Sequence, residues 1–219
     1  MTRIAVFIDY QNVYHCARQA FGDPDNDPPT FGHVLPQRLG LLLKQLGEDV
    51  DPDRELCAVT VYRGRPGPKS HRHLQSAFAR QVAAWEALPL TAVKTRPLRY
   101  QPTEWSFGKA VRWRGEEKGI DVLIALDVAI GARDDCYDVA VVVSADTDLI
   151  PAIEVALRAG KRVETATWSS GALRVKPLAA TGWRIWNHWL DRQRFEYVRD
   201  DTDYLANPAE GPSGSESRA

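Results

Sequence analysis

Two short apolar runs, rich in β-branched residues, constrain the fold of this chain more than any other feature. Residues 3–8 and 139–143 are too short for core helices and do not alternate polar with apolar residues. Both properties are typical of strands covered on both faces. The same criteria predict strands at 56–62, 90–95 and 162–166, and helices up to residue 20 and at 35–46, 71–88, 118–131 and 149–158.

The alternation of strands and helices predicts an α/β fold. Right-handed crossovers between such strands produce a central, mainly parallel sheet flanked by helices, in three layers. The helix at 118–131 has almost no polar face, so we expect it to be buried. Residues 96–114 contain two prolines, a glycine and the aromatic side chains of Trp105, Phe107 and Trp113. We interpret them as an excursion or a hairpin that touches substrate.

A length of 219 residues suits one well-buried domain. We expect a main domain at 1–190, a C-terminal extension packed on it at 191–206, and a disordered tail at 207–219 that lacks large apolar residues. Three cysteines without zinc-type spacing, no signal-like start and no apolar run of about 20 residues predict a cytoplasmic protein outside the membrane. The tryptophans near the C-terminus either pack these elements together or form a homodimer surface: Trp183, Trp186 and Trp189.

The net charge of −1 hides two blocks of opposite charge. Residues 54–118 hold thirteen Lys or Arg and five Asp or Glu, whereas 121–154 hold one Arg and eight Asp or Glu. Basic groups attract phosphates, and crowded carboxylates repel them unless a cation lies between. The blocks are therefore either ordinary solvated surfaces or parts of a site that holds a nucleic acid over a metal ion.

Aspartates follow both apolar runs at the point where each predicted strand ends. Asp9 follows the first run, and Asp146 and Asp148 follow the second. Ligands bind beyond the carboxyl ends of parallel strands, and Asp121, in the first turn of the apolar helix, can face the same edge. Structural roles also fit these acids, since Asp9 and Asp148 can cap a turn and a helix. Asp121 can likewise interact with a helix dipole.

Carboxylates packed this closely raise one another's pKa, each unit being about 1.4 kcal/mol. Mg²⁺ reverses that cost by taking oxygen ligands from a few carboxylates, waters and substrate phosphate. Bound metal lowers the pKa of water and neutralises charge developing on phosphorus. The pattern therefore predicts metal-assisted hydrolysis of a phosphodiester. Asp127, inside the apolar helix, is costly if unpaired, so we expect it to pair with Lys118 or Lys109 or to support the site.

Three segments, taken together, resemble a known family. They are Phe7-Ile-Asp-Tyr-Gln-Asn12, the run from Lys118-Gly-Ile-Asp121 to Asp127, and Val143-Ser-Ala-Asp-Thr-Asp-Leu-Ile-Pro151. In order and spacing they resemble the NYN domain, the LabA-like branch of the PIN-like nuclease superfamily, over roughly residues 3–187. The resemblance implies a PIN-like, Rossmann-like fold and cleavage of RNA that depends on Mg²⁺ or Mn²⁺.

Carried over position by position, the resemblance implies one acidic site that is both catalytic and metal-binding, formed by Asp9, Asp121, Asp146 and Asp148. The residues expected to support this site are Asn12, which orients Asp9 or substrate, Lys118, Ser144 and Asp127. The chain departs from the family pattern at Ala145, where Gly is usual, at Leu149, where Phe is usual, and at Tyr10-Gln11. These departures change packing neighbours and leave the carboxylates intact.

Basic side chains on the predicted active edge provide candidate contacts to nucleic acid. These are Arg63, Arg65, Lys69, Arg72, Lys109 and Arg112. The first four follow the second predicted strand and either bind backbone phosphates or are merely solvated. The last two lie among aromatic residues that either stack unpaired bases or pack the hairpin.

Three interpretations of the whole protein remain. The first is a metal-dependent ribonuclease that acts on single-stranded RNA. The second is a non-catalytic RNA-binding or regulatory module that keeps the fold. The third is a phosphatase of the haloacid dehalogenase kind, which needs Asp-x-Asp after its first strand to form a phospho-aspartate. Here Asp9-Tyr-Gln occupies that position, so the third interpretation is disfavoured.

Overall fold

The computed structural model of the chain describes residues 1–23, 25–68, 70–102, 113–170 and 176–206. A six-stranded sheet lies at its centre, and every neighbouring pair of its strands is parallel. A separate antiparallel pair accompanies it. In chain order the strands are β1 (Thr2–Asp9), β2 (Arg54–Arg65), β3 (Thr91–Pro97), β4 (Arg99–Pro102), β5 (Trp113–Glu116), β6 (Val139–Val143), β7 (Arg162–Trp168) and β8 (Trp186–Leu190).

Helices cover both faces of the sheet, which confirms the predicted three-layer α/β architecture. They are α1 (Tyr10–Phe21), α2 (Pro36–Leu46), α3 (Arg72–Glu86), α4 (Ile120–Arg133), α5 (Ile150–Arg158) and α6 (Arg192–Val198). One core contains side chains of α1, α2, α3 and α6 with one face of the strands. The other core contains side chains of α4 and α5 with the opposite face. The central strands β1 and β6 are therefore buried on both sides, as their unbroken apolar runs predict.

The strand order places the functional edge of the sheet. The order is β3-β2-β1-β6-β7-β8, so the chain moves outwards from β1 through β2 and β3. It then returns to the other side of β1 at β6. In open parallel sheets the crevice at such a reversal, beyond the carboxyl ends of the strands, is where ligands bind. Asp9 ends β1 and Ser144 follows β6 at this crevice.

The helix α4 is only half covered, so the prediction that it is buried is wrong. Ile124 and Val128 are buried in the core beneath α4 and α5. Val122, Leu126 and Ile130, on the outer side, are 51%, 49% and 42% exposed. A helix in an outer layer is covered on one side only. The apolar composition of α4 therefore reflects an exposed apolar stripe as well as the face that packs in the core.

One connection differs from the sequence prediction and another agrees with it. Residues 63–65 belong to β2 and not to a loop, because Arg63 and Arg65 continue the ladder opposite Thr95 and Pro97 of β3. The hairpin predicted within 96–114 is confirmed by β4 and β5. Residues 103–112, which include Trp105 and Phe107, lie outside the described part of the chain.

The C-terminal residues lie against the main domain. In α6 the side chains of Phe195 and Val198 are fully buried, and Arg199 forms a β-bridge with Val34. Trp186 and Trp189 lie in β8, at the edge of the sheet. Residues 207–219, the predicted tail, lie outside the described residues. Among the residues that are described, no helix is long and apolar enough to cross a membrane.

Candidate active site

Asp9 is a buried acid held by two neutral hydrogen-bond donors. It ends β1 and caps α1, where its Oδ1 accepts from the backbone N–H of Asn12 at 3.2 Å. Its Oδ2 accepts from the Ser144 hydroxyl at 2.9 Å. Asp9 is only 9% exposed. Burial raises its pKa to about 6, the two hydrogen bonds oppose that rise, and the nearby charges of Asp146 and Asp121 add to it.

A hydrogen-bonded link joins the ends of β1 and β6. The Ser144 hydroxyl, which donates to Asp9, also accepts from the backbone N–H of Asp146 at 3.1 Å. From the other side, the Asn12 side-chain oxygen accepts from the backbone N–H of Ala145 at 3.1 Å. Ser144 is buried. The two supporting residues therefore fix the Asp9 and Asp146 loops relative to each other, and Asn12 contacts Asp9 through its backbone.

The start of α4 brings a third acid to the same place. Asp121 lies in the first turn of this helix, as predicted. The chain enters α4 through Gly119, whose φ of +74° lies in the left-handed region that favours glycine. Asp9, Asp121 and Asp146 line one cavity of about 530 Å³, together with the exposed Lys118. Three separate parts of the chain thus place carboxylates around one open space.

The cavity also contains Glu117, a residue that the sequence analysis missed. Its Oε1 accepts from the backbone N–H of Gly64 in β2 at 2.6 Å. Burial raises the pKa of Glu117, the Gly64 hydrogen bond lowers it, and the charge of Asp9 raises it further. Glu116 and Gln11 line the same cavity. The only sequence signal for Glu117 was its place directly before the Lys-Gly-Ile-Asp segment.

Comparison with known proteins identifies the family. The NYN domain model matches residues 3–177, most of the chain and all three acid-bearing segments. The chain belongs to the NYN domain family. This family is part of the PIN-like nuclease superfamily, which confirms the resemblance inferred from the motifs. No curated protein matched the chain.

Among solved structures, the NYN chain is similar to a protein of unknown function from Vibrio parahaemolyticus. The two are 20% identical, with a TM-score of 0.45, and the match covers 75% of this chain and 80% of the other. That similarity says nothing about activity. The geometry of this NYN domain therefore has to supply the chemical argument.

The donor set in the NYN cavity consists of carboxylate oxygens, which suit Mg²⁺ or Mn²⁺ better than softer metals. In the described residues, however, no group of three or more His, Cys, Asp or Glu side chains is close enough to hold an ion together. Mg²⁺ commonly uses one or two carboxylates, several waters and substrate phosphate. The donors therefore fit such an ion, while a site with four direct aspartate ligands stays a prediction.

Asp148 and Asp127 lie away from the cavity lining. Asp148 is exposed in the 3₁₀ turn Thr147–Leu149, and its backbone N–H donates to Asp146 Oδ1 at 3.0 Å. Asp146, and not Asp148, is therefore the cap of this turn, because the turn begins at Thr147, three residues before α5. Asp127 accepts from the Tyr62 hydroxyl and from Lys94 Nζ, both at 2.6 Å. Asp127 therefore pairs with Lys94 of β3 and not with Lys118, while Lys109, the other predicted partner, lies outside the described residues.

The predicted nucleic-acid contacts are dispersed in the structure. Arg65 and Arg72 are exposed, at the end of β2 and the start of α3. The Arg63 guanidinium instead packs among aromatic rings on the face of the sheet opposite α4. The other three candidates, Lys69, Lys109 and Arg112, lie outside the described residues.

Proposed function

We propose that this NYN protein is a ribonuclease that cleaves single-stranded RNA with the help of Mg²⁺ or Mn²⁺. The observation that carries the proposal is the convergence of Asp9, Asp121 and Asp146 on one open cavity at the reversal point of the sheet. The superfamily supplies the nuclease chemistry. The oxygen-only donor set supports a hard divalent cation as cofactor.

The electrostatics of Asp9 support an external cation. Its described hydrogen bonds come from neutral groups, Asn12 N–H and the Ser144 hydroxyl. Burial leaves its pKa at about 6, so Asp9 is charged near neutral pH, and no basic side chain among the described residues donates a hydrogen bond to it. When bound, a divalent ion neutralises these carboxylates and lowers the pKa of a bound water, so that hydroxide is available near neutral pH.

The chain's own residues then have distinct roles. Asn12 and Ser144 hold the Asp9 and Asp146 loops in register. Lys118 at the cavity rim attracts the RNA phosphate, because an exposed ammonium beside acids counteracts their repulsion of the backbone. In this proposal Asp148, outside the cavity lining, is a more distant fourth acid that acts through the turn it shares with Asp146.

A non-catalytic RNA-binding module is the second candidate. The observation in its favour is that the described acids do not form a ready group of three ligands. The two candidates differ in one measurable property, since only the nuclease shortens RNA in the presence of Mn²⁺.

The test is cleavage of end-labelled single-stranded RNA by the purified protein with Mg²⁺ or Mn²⁺. We expect EDTA, Asp146→Asn and Asp121→Asn each to lower the cleavage rate by at least about 100-fold, because loss of one electrostatic group at an active site costs about that much. Asp134→Asn is the matched control, since Asp134 is exposed and thirteen residues beyond Asp121, about 20 Å along α4. It should cleave like the wild type.

Three outcomes would contradict the nuclease assignment. Cleavage that persists in EDTA and in Asp146→Asn would come from another site or a contaminant. An equal loss in Asp134→Asn would show a general effect of removing charge. Binding of RNA without cleavage in either metal would favour the non-catalytic module. A parallel arm with single-stranded DNA of the same sequence decides between RNA and DNA as substrate.

A further inference from the structure

A second cavity, of about 240 Å³, lies on the face of the sheet opposite the acids. It is formed between α3, the end of β2 and the C-terminal residues 202–205. Leu74 and Phe78 of α3 provide apolar walls, while Arg63 and Gln81 provide polar groups. Adjacent residues of a strand face opposite sides. Tyr62 packs in the core beneath α4, so Arg63 faces this other cavity.

Arg63 is held with its flat faces covered. Its guanidinium carbon lies 4.9 Å, 4.7 Å and 5.4 Å from the ring centroids of Tyr10, Phe78 and Trp85. Rings over a guanidinium stabilise its charge and leave the N–H groups at its edge to bind acceptors in the plane. Within the described residues, its one hydrogen bond goes from Nη1 to Gln81 Oε1. The rest of that edge remains available to a ligand.

Gln81 is a buried amide with an unused donor. It is only 4% exposed, and its Nε2 has no hydrogen-bond partner in the described residues. The orientation of the amide is fixed, because Arg63 can only donate and therefore needs Oε1. A buried donor without a partner costs about 1–3 kcal/mol. Two of the side chains that line the cavity, Arg63 and Gln81, therefore carry N–H donors beside its apolar walls.

We propose that this cavity binds a nucleobase of the RNA strand, with guanine preferred. The inference rests on the proposed ribonuclease function. A base is planar, fits apolar walls and presents acceptors in its own plane. Guanine carries two neighbouring acceptors, O6 and N7, that match a planar guanidinium edge, whereas adenine carries N7 beside an amino donor. A phosphate fits less well, because the carboxylate of Asp203 also lines the cavity.

The base cavity and the acidic cavity are joined through β2. Tyr62 is the partner of Asp9 in the parallel ladder, about 4.8 Å away across neighbouring strands. Arg63, the next residue, faces the base cavity, and Gly64 donates to Glu117 in the acidic cavity. A strand that crosses this edge of the sheet can therefore place its backbone over the acids and one neighbouring base against Arg63.

The test compares two tryptophan substitutions in the full chain. Leu74→Trp fills the mouth of the base cavity, while Leu41→Trp makes the same change on α2, away from both cavities. The two leucines are similarly exposed, at 39% and 46%. Substrates are short RNAs of adenosine with a single guanosine moved through each position. We expect the wild type to prefer one guanosine position by at least 10-fold, Leu74→Trp to lose that preference and Leu41→Trp to keep it.

Gln81→Glu gives a second, independent variant. The carboxylate keeps the bond to Arg63 but removes the Nε2 donor and repels the acceptors of guanine. We expect the guanine preference to fall at least 10-fold. Competition by guanosine monophosphate distinguishes a free nucleotide from a base within RNA. If the monophosphate displaces RNA equally well with and without EDTA, measured by fluorescence anisotropy, and the RNAs show no preferred position, the ligand is a free nucleotide and the inference is wrong.

Failure of the inference is separable from failure of the proposed function. Wild-type cleavage that is indifferent to the guanosine position, with Leu74→Trp and Leu41→Trp equal, overturns the base cavity and leaves the nuclease intact. Absence of cleavage of every RNA with either metal overturns the nuclease. In that case binding by the metal-free Asp146→Asn variant, measured by fluorescence anisotropy, reports on the cavity. An equal affinity for guanosine- and adenosine-containing RNA then contradicts the inference.

Discussion

Two buried acids of this protein have opposite pKa shifts. Burial raises the pKa of Glu164 in β7, but hydrogen bonds from His188 and Arg54 outweigh that effect and leave the pKa below its usual value. Asp9 has hydrogen bonds from neutral donors, and burial leaves its pKa at about 6. Burial is common to both, so burial alone does not mark a functional site. The difference lies in whether the fold supplies the compensating cation.

The Glu164 group is built into the packing of the sheet. Arg54, at the start of β2, is almost fully buried, and His188 Nε2 lies 2.8 Å from Glu164 Oε2. Gly47 makes room for this arrangement, because a Cβ there would lie 1.1 Å from Arg54 Nη1. A cation enclosed in this way cannot serve an incoming ligand. Asp9 instead borders an open cavity that a ligand from solvent can enter.

The strongest test of this contrast is Glu164→Gln. It leaves the buried Arg54 without its counter-charge, so we expect a loss of about 3–5 kcal/mol in the free energy of unfolding at pH 7.5. Urea denaturation followed by circular dichroism measures it. Because the pKa of Glu164 is lowered, its contribution is present above the usual glutamate pKa and is lost as pH falls below it. The deficit of the variant should shrink in acid.

Glu154→Gln is the matched control for that substitution. Glu154 pairs with Arg158 one turn along α5, and the Arg158 side chain is 66% exposed. Exposed pairs of this kind contribute at most about 0.5 kcal/mol. If Glu164→Gln and Glu154→Gln are equally stable, the buried Arg54–Glu164 pair stabilises the fold no more than an exposed pair. The proposed contrast between Glu164 and Asp9 would then be wrong.

We expect Asp9→Asn to change the free energy of unfolding in the opposite direction from Glu164→Gln. The folded-state pKa of about 6 lies above the ordinary value of 3.8, so the contribution of Asp9 to stability is fully present below pH 3.8 and is lost as pH rises through 6. The amide carries no charge and escapes that loss. We therefore expect Asp9→Asn to be more stable than the wild type by about 1–3 kcal/mol at pH 7.5 in EDTA, with a smaller gain at pH 5.

The same variant links stability to the proposed metal site. Mn²⁺ should raise the melting temperature of the wild type more than that of Asp9→Asn, because a ligand stabilises the state that binds it. Thermal unfolding in EDTA and in Mn²⁺ measures both effects. An Asp9→Asn protein that is less stable than the wild type at pH 7.5 would show that the hydrogen bonds of Asp9 outweigh its buried charge, and would contradict the proposed electrostatics.

The sequence predicts the convergence of the aspartates well because each lies at the end of an element. Asp9, Asp121 and Asp146 follow from strand ends, a helix start and the rule for parallel sheets. Glu117 could not be predicted in this way. It is placed by the N–H of Gly64, 53 residues away, and no local pattern reports such a contact.

The other differences between the sequence predictions and the structure have similar causes. Successive side chains of a strand point to opposite faces of the sheet. The surroundings of Arg63 therefore depend on whether β2 continues past Tyr62, because only then does Arg63 face the aromatic rings. The exposed side of α4 was missed because apolar composition does not show which side a neighbour covers. Asp127 pairs with Lys94 because β3 joins the sheet beside β2, and strand order is a property of the whole chain.

The smallest predicted effect tests whether Glu117 is electrostatically coupled to Asp9. The charge of Asp9 raises the pKa of Glu117, so the two carboxylates repel each other across the cavity. Each single variant, Asp9→Asn or Glu117→Gln, removes that repulsion, and the double variant cannot remove it twice. We therefore expect the double variant to be less stable than the sum of the single effects predicts, by roughly 0.5 kcal/mol or more at pH 7.5 in EDTA.

Saturating Mn²⁺ should abolish the coupling, because a cation between the acids screens it. Additive effects in EDTA would mean that Glu117 is held by Gly64 for structural reasons and has no part in the acidic site.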